Sequence, residues 1–245
     1  MNKRQLYELV AKTKTELSIS TQDYPINIFE LCEKIDNVVI SEVNFKTKDL
    51  RGLVHIADNE KENHVILVNQ NKIFLEKNYH GAHELMHIVT AKNKPGTTIQ
   101  CFEKIRPNQD PYIEWLANEG AAELLMPYED VLSFVKSESA HFNKDFLPIY
   151  SLVRDLCERY LVSEMVVQNR LDNLSYEIWQ YLKGVRFQDI EIISRSEQQR
   201  RGIRIDSLID IENRIGEECF TTEGLININE IKPFFCYSKD YSFVI

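Results

Sequence analysis

His83-Glu84-Leu85-Met86-His87 is the segment that most restricts how this chain can fold. Two histidines four residues apart meet only on a helix, where they stand one turn above the other and ~40° apart in projection. The flanking residues agree with a helix over 73–91. Leu75, Tyr79, Ala82, Met86 and Val89 recur at spacings of four and three and make an apolar stripe. The stripe lies beside the histidines, so the helix packs on a core and shows His83, Glu84 and His87 at the rim of a cleft. Two imidazoles so placed can grip one Zn²⁺. That ion takes nitrogen ligands at ~2.0–2.1 Å and keeps one tetrahedral position for water in a catalytic site. Glu84, one step round the helix, suits a general base acting on that water.

A pentapeptide of this kind also arises by chance, so a third ligand is needed to give it weight. The extended pattern HExxHxxGxxH is excluded, because Thr90 stands where it needs Gly and Asn93 where it needs His. The other common arrangement takes a carboxylate from a later helix. Residues 92–110 read as a polar loop containing Pro95, Gly96 and Pro107. Asp110 then caps a helix with Pro111 at its first position, which runs to about Met126 and is ended by Pro127. Glu114, in its first turn, is the leading candidate. Asn118 follows one turn later on the same face and can accept a hydrogen bond from the free ring N–H of a ligating histidine. Glu119 and Glu123 are rivals that point to other sides of the helix. Gly120, Ala121 and Ala122 are small and let this helix approach a neighbour closely.

Elsewhere, helices are expected over 4–17 and 26–36. They are followed by β-rich runs at Val38–Val43, Leu53–Ile56 and His64–Val68, with a polar hairpin connection over 58–63. These runs suggest a small antiparallel sheet. Further helices are expected at 127–137, 147–160 and 163–174, the last two forming a helix-turn-helix-like pair around 161–163. Beyond Gly184 the pattern mixes short β-like runs (Ile190–Ile193, Leu225–Ile228) with a basic stretch at Arg200, Arg201 and Arg204. The fold class that follows is α+β. A mainly helical HExxH domain over 1–140 carries a small antiparallel sheet, a helical segment over 141–184 packs on it, and 185–245 form a small C-terminal module.

Several function classes are disfavoured. The net charge of −9 repels a phosphate backbone, which argues against general nucleic-acid binding. The five cysteines are odd in number and scattered, with no CxxC pair. They make neither a disulfide framework nor a zinc ribbon and read as free thiols in a reducing cytosol. The basic N-terminus is followed by no apolar stretch of signal-peptide length, and no run of ~18 apolar residues occurs. A cytoplasmic protein without a membrane span is expected.

HELMH followed by Glu114-Trp-Leu-Ala-Asn118-Glu-Gly-Ala-Ala-Glu123-Leu-Leu-Met-Pro127 resembles the ImmA/IrrE family of metallo-endopeptidases. That family shows a His-Glu-Leu-Gly-His helix and then a Glu-x-x-Ala-Asn-x-Phe-Ala-Ala-Glu-Leu-Leu-Met-Pro segment. The likeness spans residues 5–172 and includes Val162-Ser163 and Arg170-Leu171. It implies a zincin-like fold with one zinc per chain on His83, His87 and Glu114, and a catalytic Glu84. It also implies a protein substrate, often a helix-turn-helix repressor of a mobile element or stress response. Met86 replaces the family's Gly and Gly120 its Phe. Asn78, His80 and Gly81 replace an Arg, a Thr and an apolar residue. None of these changes removes a ligand or the base; they bear on substrate fit.

Other residues are candidates for the cleft. His80 lies one turn before His83. His141, Tyr112, Tyr128 and Tyr160 are possible oxyanion-stabilising groups, and the sequence does not choose among them. His55 and His64 read as half-exposed strand residues. The strand over 64–68 is a candidate edge on which an extended substrate could pair. The helix pair over 147–174 mixes Arg154, Arg159 and Arg170 with Asp155, Glu158, Glu164 and Asp172, which favours packing or a protein partner over DNA. A non-catalytic, metal-stabilised regulator that binds a repressor or DNA is the rival reading, and the intact Glu84 argues against it. A deformylase-like site needs a cysteine ligand before the motif, where only Cys32 stands, on a distant helix.

Overall fold

The computed structural model describes residues 1–47, 49–90, 94–141, 146–205 and 225–227, with the backbone alone for 139–141, 146–151 and 225–227. They form two units. The first is Gln5–Leu125 with Glu158–Ser163; the second takes Met1–Arg4, Met126–Cys157 and the described residues from Glu164 onward.

The first unit is a helix pair on a small sheet. Helix α1 (Lys3–Glu16) buries Leu6, Tyr7 and Val10. Helix α2 (Ile28–Cys32) starts where the Asn27 side chain accepts from the Phe29 amide, at 3.1 Å. It is shorter than the expected 26–36, because beyond Cys32 the chain tightens into turns, Lys34 N–H to the Leu31 carbonyl and Ile35 N–H to the Cys32 carbonyl, before reversing at Asn37 with φ 62°. Four strands follow in chain order: β1 (Val38–Val43), β2 (Leu50–His55), β3 (His64–Asn69) and β4 (Thr98–Phe102). Their order across the sheet is β1-β3-β2-β4.

Two expectations are corrected here. The sheet is mixed, because β1 runs parallel to β3 while β2 is antiparallel to both β3 and β4. After β1 the chain makes the β2–β3 hairpin and returns beside β1 in the same direction. Strand β3 is therefore internal rather than an edge, and the edges are β1 and β4. The second correction is β4 itself, which lies inside the stretch read as a polar loop.

Strand β2 alternates buried and half-buried residues, so Leu50, Gly52 and Val54 share the inner face with Ile66 and Val68 of β3. Helix α3 (Phe74–Val89) packs on this face and along helix α4 (Pro111–Leu125). Asp110 starts α4 as expected, its carboxylate accepting from the Tyr112 amide at 2.9 Å. Asn78 is wholly buried on α3. Its Oδ1 accepts from the Ile28 amide at 2.8 Å, and its Nδ2 donates to the Ile26 and Leu161 carbonyls at 3.0 and 3.2 Å. One amide thus satisfies three backbone groups that would otherwise be buried unpaired.

The second unit holds α5 (Tyr128–His141), β5 (Phe146–Pro148), α6 (Ile149–Tyr160, its end counted with the first unit), α7 (Glu164–Asn173), α8 (Ser175–Leu182), α9 (Arg195–Arg200) and β6 (Leu225–Asn227). Strands β5 and β6 pair antiparallel. The run Ile190–Ile193 is not a strand. Its backbone is held by the Gln180 amide, which donates to the Glu191 carbonyl and accepts from the Glu191 N–H, both at 2.9 Å. Arg170 of α7 is buried and donates through Nε and a terminal nitrogen to the Met126 carbonyl, so it does not face solvent or a phosphate. The basic stretch is largely neutralised from within: Arg200 pairs with Glu197, and Arg201 with Glu191 and Glu197. Residues 206–224 and 228–245, with Cys219 and Cys236, lie outside the described residues.

Lys3 and Glu177 form a buried ion pair at 2.8 Å, with Lys3 also donating to the Asn173 carbonyl at 2.6 Å. Removing one partner of such a pair leaves a buried charge. Lys3→Met is therefore expected to cost about 3–5 kcal/mol in urea unfolding. An unchanged midpoint would mean that water reaches Glu177 freely.

Candidate metal centre

The helical spacing does what the motif requires. His83 and His87 lie on one face of α3 with their Nε2 atoms 3.1 Å apart. Asn118 of α4 fixes His83, because its Oδ1 lies 3.0 Å from His83 Nδ1. An amide oxygen can only accept, so Nδ1 carries a proton, and in the neutral ring Nε2 presents a lone pair. Tyr79 steadies Asn118 in turn by donating to its carbonyl at 3.2 Å. Glu114, from the first turn of α4, brings Oε2 to 3.4 Å from His83 Nε2 and Oε1 to 3.8 Å from His87 Nε2. Gln109 donates to Glu114 Oε1 at 3.1 Å.

A lone pair and a carboxylate facing each other at this distance repel unless a proton or cation lies between them. Burial pushes His87 down to about 3, which disfavours a proton as the solution there. Glu114 is opposed by burial, yet hydrogen bonding and charge from His83, the charge of His87 and the Gln109 amide hold it below its ordinary value. Tetrahedral nitrogen and oxygen ligands at ~2.0–2.2 Å from zinc stand roughly 3.3–3.5 Å from one another. The observed separations bracket that value. The donor set therefore fits a zinc ion.

Glu84 points from the same helix into the sheet. It is fully buried, and its Oε1 has no hydrogen-bond partner among the described residues. Burial pushes its carboxyl up to about 7, with His83 and the Cys101 hydrogen bond opposing and Glu114 adding. Gly52 of β2 makes room for it. A Cβ at Gly52 would stand 2.4 Å from Glu84 Oε1, so no other residue fits there without displacing the carboxylate. A register shift between Leu50 and Gly52 bends β2 at this point.

The remaining sequence candidates divide. His80 is buried and lines the cleft above the histidines with Arg51, Tyr79 and Phe102, and its buried Nδ1 has no partner among the described residues. Tyr112 is exposed and stacks on Trp115, and it does not line that cleft. Tyr160 is completely buried, packed edge-on against Tyr24, and stands outside the cleft as well. Tyr128 and His141 belong to the second unit, and the His141 side chain lies outside the described residues. Glu119 accepts from Tyr7 and is not among the converging ligands. His64 accepts from the Ala57 amide and His55 contacts Thr98, so both serve the sheet.

Sequence reasoning missed Cys101. Its Sγ lies 3.1 Å from Glu84 Oε2 and 3.5 Å from His87 Nε2. Ligand atoms of His83, His87, Cys101 and Glu114 all fall within 4.8 Å of one another. The Thr-Ile-Gln-Cys-Phe alternation was the available signal for a strand with Cys101 on its inner face.

The Met86 and Gly120 departures explain each other. A Cβ on Gly120 would stand 2.5 Å from Met86 Cε and 3.2 Å from Met86 Cγ. The Met86 side chain occupies the space over Gly120, where the family pattern has Gly on α3 and Phe on α4.

A helix bearing two histidines and a buried glutamate, packed between a small sheet and a second helix that supplies a carboxylate, defines a zincin-like metallopeptidase domain. The chain belongs to the IrrE N-terminal-like domain family, peptidase M78, whose model matches residues 33–172, more than half of its length. No curated protein matches significantly. Among solved structures it is similar to a Mycobacterium tuberculosis transcriptional regulator at 16% identity and a TM-score of 0.42. That match covers 69% of this chain and 47% of the regulator. No helix among the described residues is long and apolar enough to cross a membrane.

Proposed function

We propose that the protein is a zinc-dependent endopeptidase that acts in the cytoplasm on a specific protein. The family resemblance points to a helix-turn-helix repressor of a mobile element or stress response as that substrate. The observation that carries the reading is the convergence of His83 Nε2, His87 Nε2 and the Glu114 carboxylate on one point beside the buried Glu84. Zinc held there would polarise the scissile carbonyl and acidify its water.

The chain's own residues supply the rest. Asn118 holds His83 in the tautomer that presents Nε2 to the metal. Glu84 takes the water proton and passes it to the leaving amine, and a carboxyl raised towards neutrality by burial suits a group that must do both. Strand β4 pairs with β2 on one side only, and a groove beside it runs past Gln100 and Ile113 to Glu114. An extended substrate adding there as a further strand would lay its backbone across the metal centre. His80 lines the same cleft.

Metal analysis of the wild type beside His83→Ala and Glu114→Ala tests this reading. About one zinc per chain, lost in both variants, is the expected result. A wild type that stays metal-free under metal-replete conditions would leave a binding protein on a peptidase fold.

A further inference from the structure

Three ligands leave the fourth tetrahedral position of a catalytic zinc to water. In this chain a further donor, Cys101, lies beside the three. Cys101 lies on the inner face of β4, is 3% exposed, and points at the ligand cluster rather than at a disulfide partner. Zinc–sulfur and zinc–nitrogen bonds of ~2.3 and ~2.0–2.1 Å put tetrahedral sulfur and nitrogen ligands roughly 3.5–3.6 Å apart. Cys101 Sγ and His87 Nε2 are 3.5 Å apart. Sulfur, two imidazoles and a carboxylate form a donor set that zinc accepts readily.

We propose that Cys101 is a fourth metal ligand, so that the resting site is closed and the thiolate competes with the water that Glu84 must activate. This rests on the reading of His83, His87 and Glu114 as metal ligands. When the sulfur ligates, its proton passes to Glu84 Oε2, the acceptor it already faces at 3.1 Å. The closed state then lacks an open coordination position. Opening needs only that Sγ swing away from the metal and recover the proton. Cys101 sits on the edge strand beside the substrate groove, so occupancy of that edge and release of the sulfur act on the same element.

Cobalt(II) loaded into the full chain reports the ligand directly. An intense near-ultraviolet thiolate-to-cobalt band is expected in the wild type and its loss in Cys101→Ser, with cobalt still bound by the other three ligands. Azide should perturb the visible cobalt bands of Cys101→Ser and leave those of the wild type unchanged, because only the variant has an open position. A second variant with serine at Cys32, Cys157, Cys219 and Cys236 should keep the band, which decides the matter if Cys101→Ser does not fold. Cobalt bound by the wild type without the band, or a band that survives in Cys101→Ser, would overturn the fourth ligand while leaving the three-ligand site standing. Failure of both proteins to bind cobalt would overturn the metal site and the closed state together.

Discussion

Glu84→Gln is expected to keep its metal and lose its cleavage, with the rate falling by about 10²–10⁴-fold. The substitution changes one oxygen to an amide nitrogen inside a fully buried site, so the volume against Gly52 is preserved. Neither His83 nor Glu114 depends on the Glu84 carboxylate for its position, since Asn118 and Gln109 hold them. What disappears is the ability to accept a proton. New protein N-termini, compared between cells producing the wild type and cells producing the variant, give the readout whatever the substrate is. Fragments made by the wild type alone identify both the base and the target. The same fragments at the same rate in both would sink the assignment of Glu84. A metal-loaded wild type that produces none would favour the regulator that binds without cutting.

The second large effect concerns packing next to the metal. Gly120→Phe alone is expected to destabilise by about 3 kcal/mol or more, because even its Cβ collides with Met86 and overpacked cores rarely absorb a ring. Met86→Gly alone should cost about 2–5 kcal/mol for the emptied volume and about 1 kcal/mol more for glycine inside a helix. The two changes together restore the arrangement of the ImmA/IrrE pattern, a ring over a bare backbone, with the large residue moved from α3 to α4. The double variant is therefore expected to be less destabilised than the sum of the two single ones, with a coupling of roughly 1–3 kcal/mol in urea unfolding. Simple additivity would show that α3 and α4 part to admit each side chain independently. Met86 directly precedes His87, so metal content should follow the same order.

The two helices that build the centre are legible in the sequence because their signals are redundant. An apolar stripe, histidines at one-turn spacing, an Asp110-Pro111 start and a proline stop all agree over long segments. Glu114 and Asn118 follow from the second helix by their shared face. The sheet is less legible, since no residue in β1 records whether its partner runs parallel, and that choice decides which strands are edges. Strand β4 is hidden by its length and polarity. Thr98 to Phe102 is five residues, paired on one side and flanked by Pro95, Gly96 and Pro107, and alternation over so few positions weighs little. Losing β4 means losing Cys101, whose chemistry shows only when the strand brings it back under α3. Helix α8 escapes for another reason. It is only eight residues long and begins two residues after α7 ends, so the sequence does not separate it from the helical stretch before it.

The clasp between Lys3 and Glu177 spans 174 positions of sequence. At ordinary translation rates the ribosome needs on the order of 10–35 s to travel that far. During this interval the start of α1 exists without its carboxylate. Closure at Met1–Arg4 therefore waits until α8 has been made. A contact absent from the folding transition state acts on the rate of unfolding rather than of folding, and that rate is where loss of this clasp is to be read.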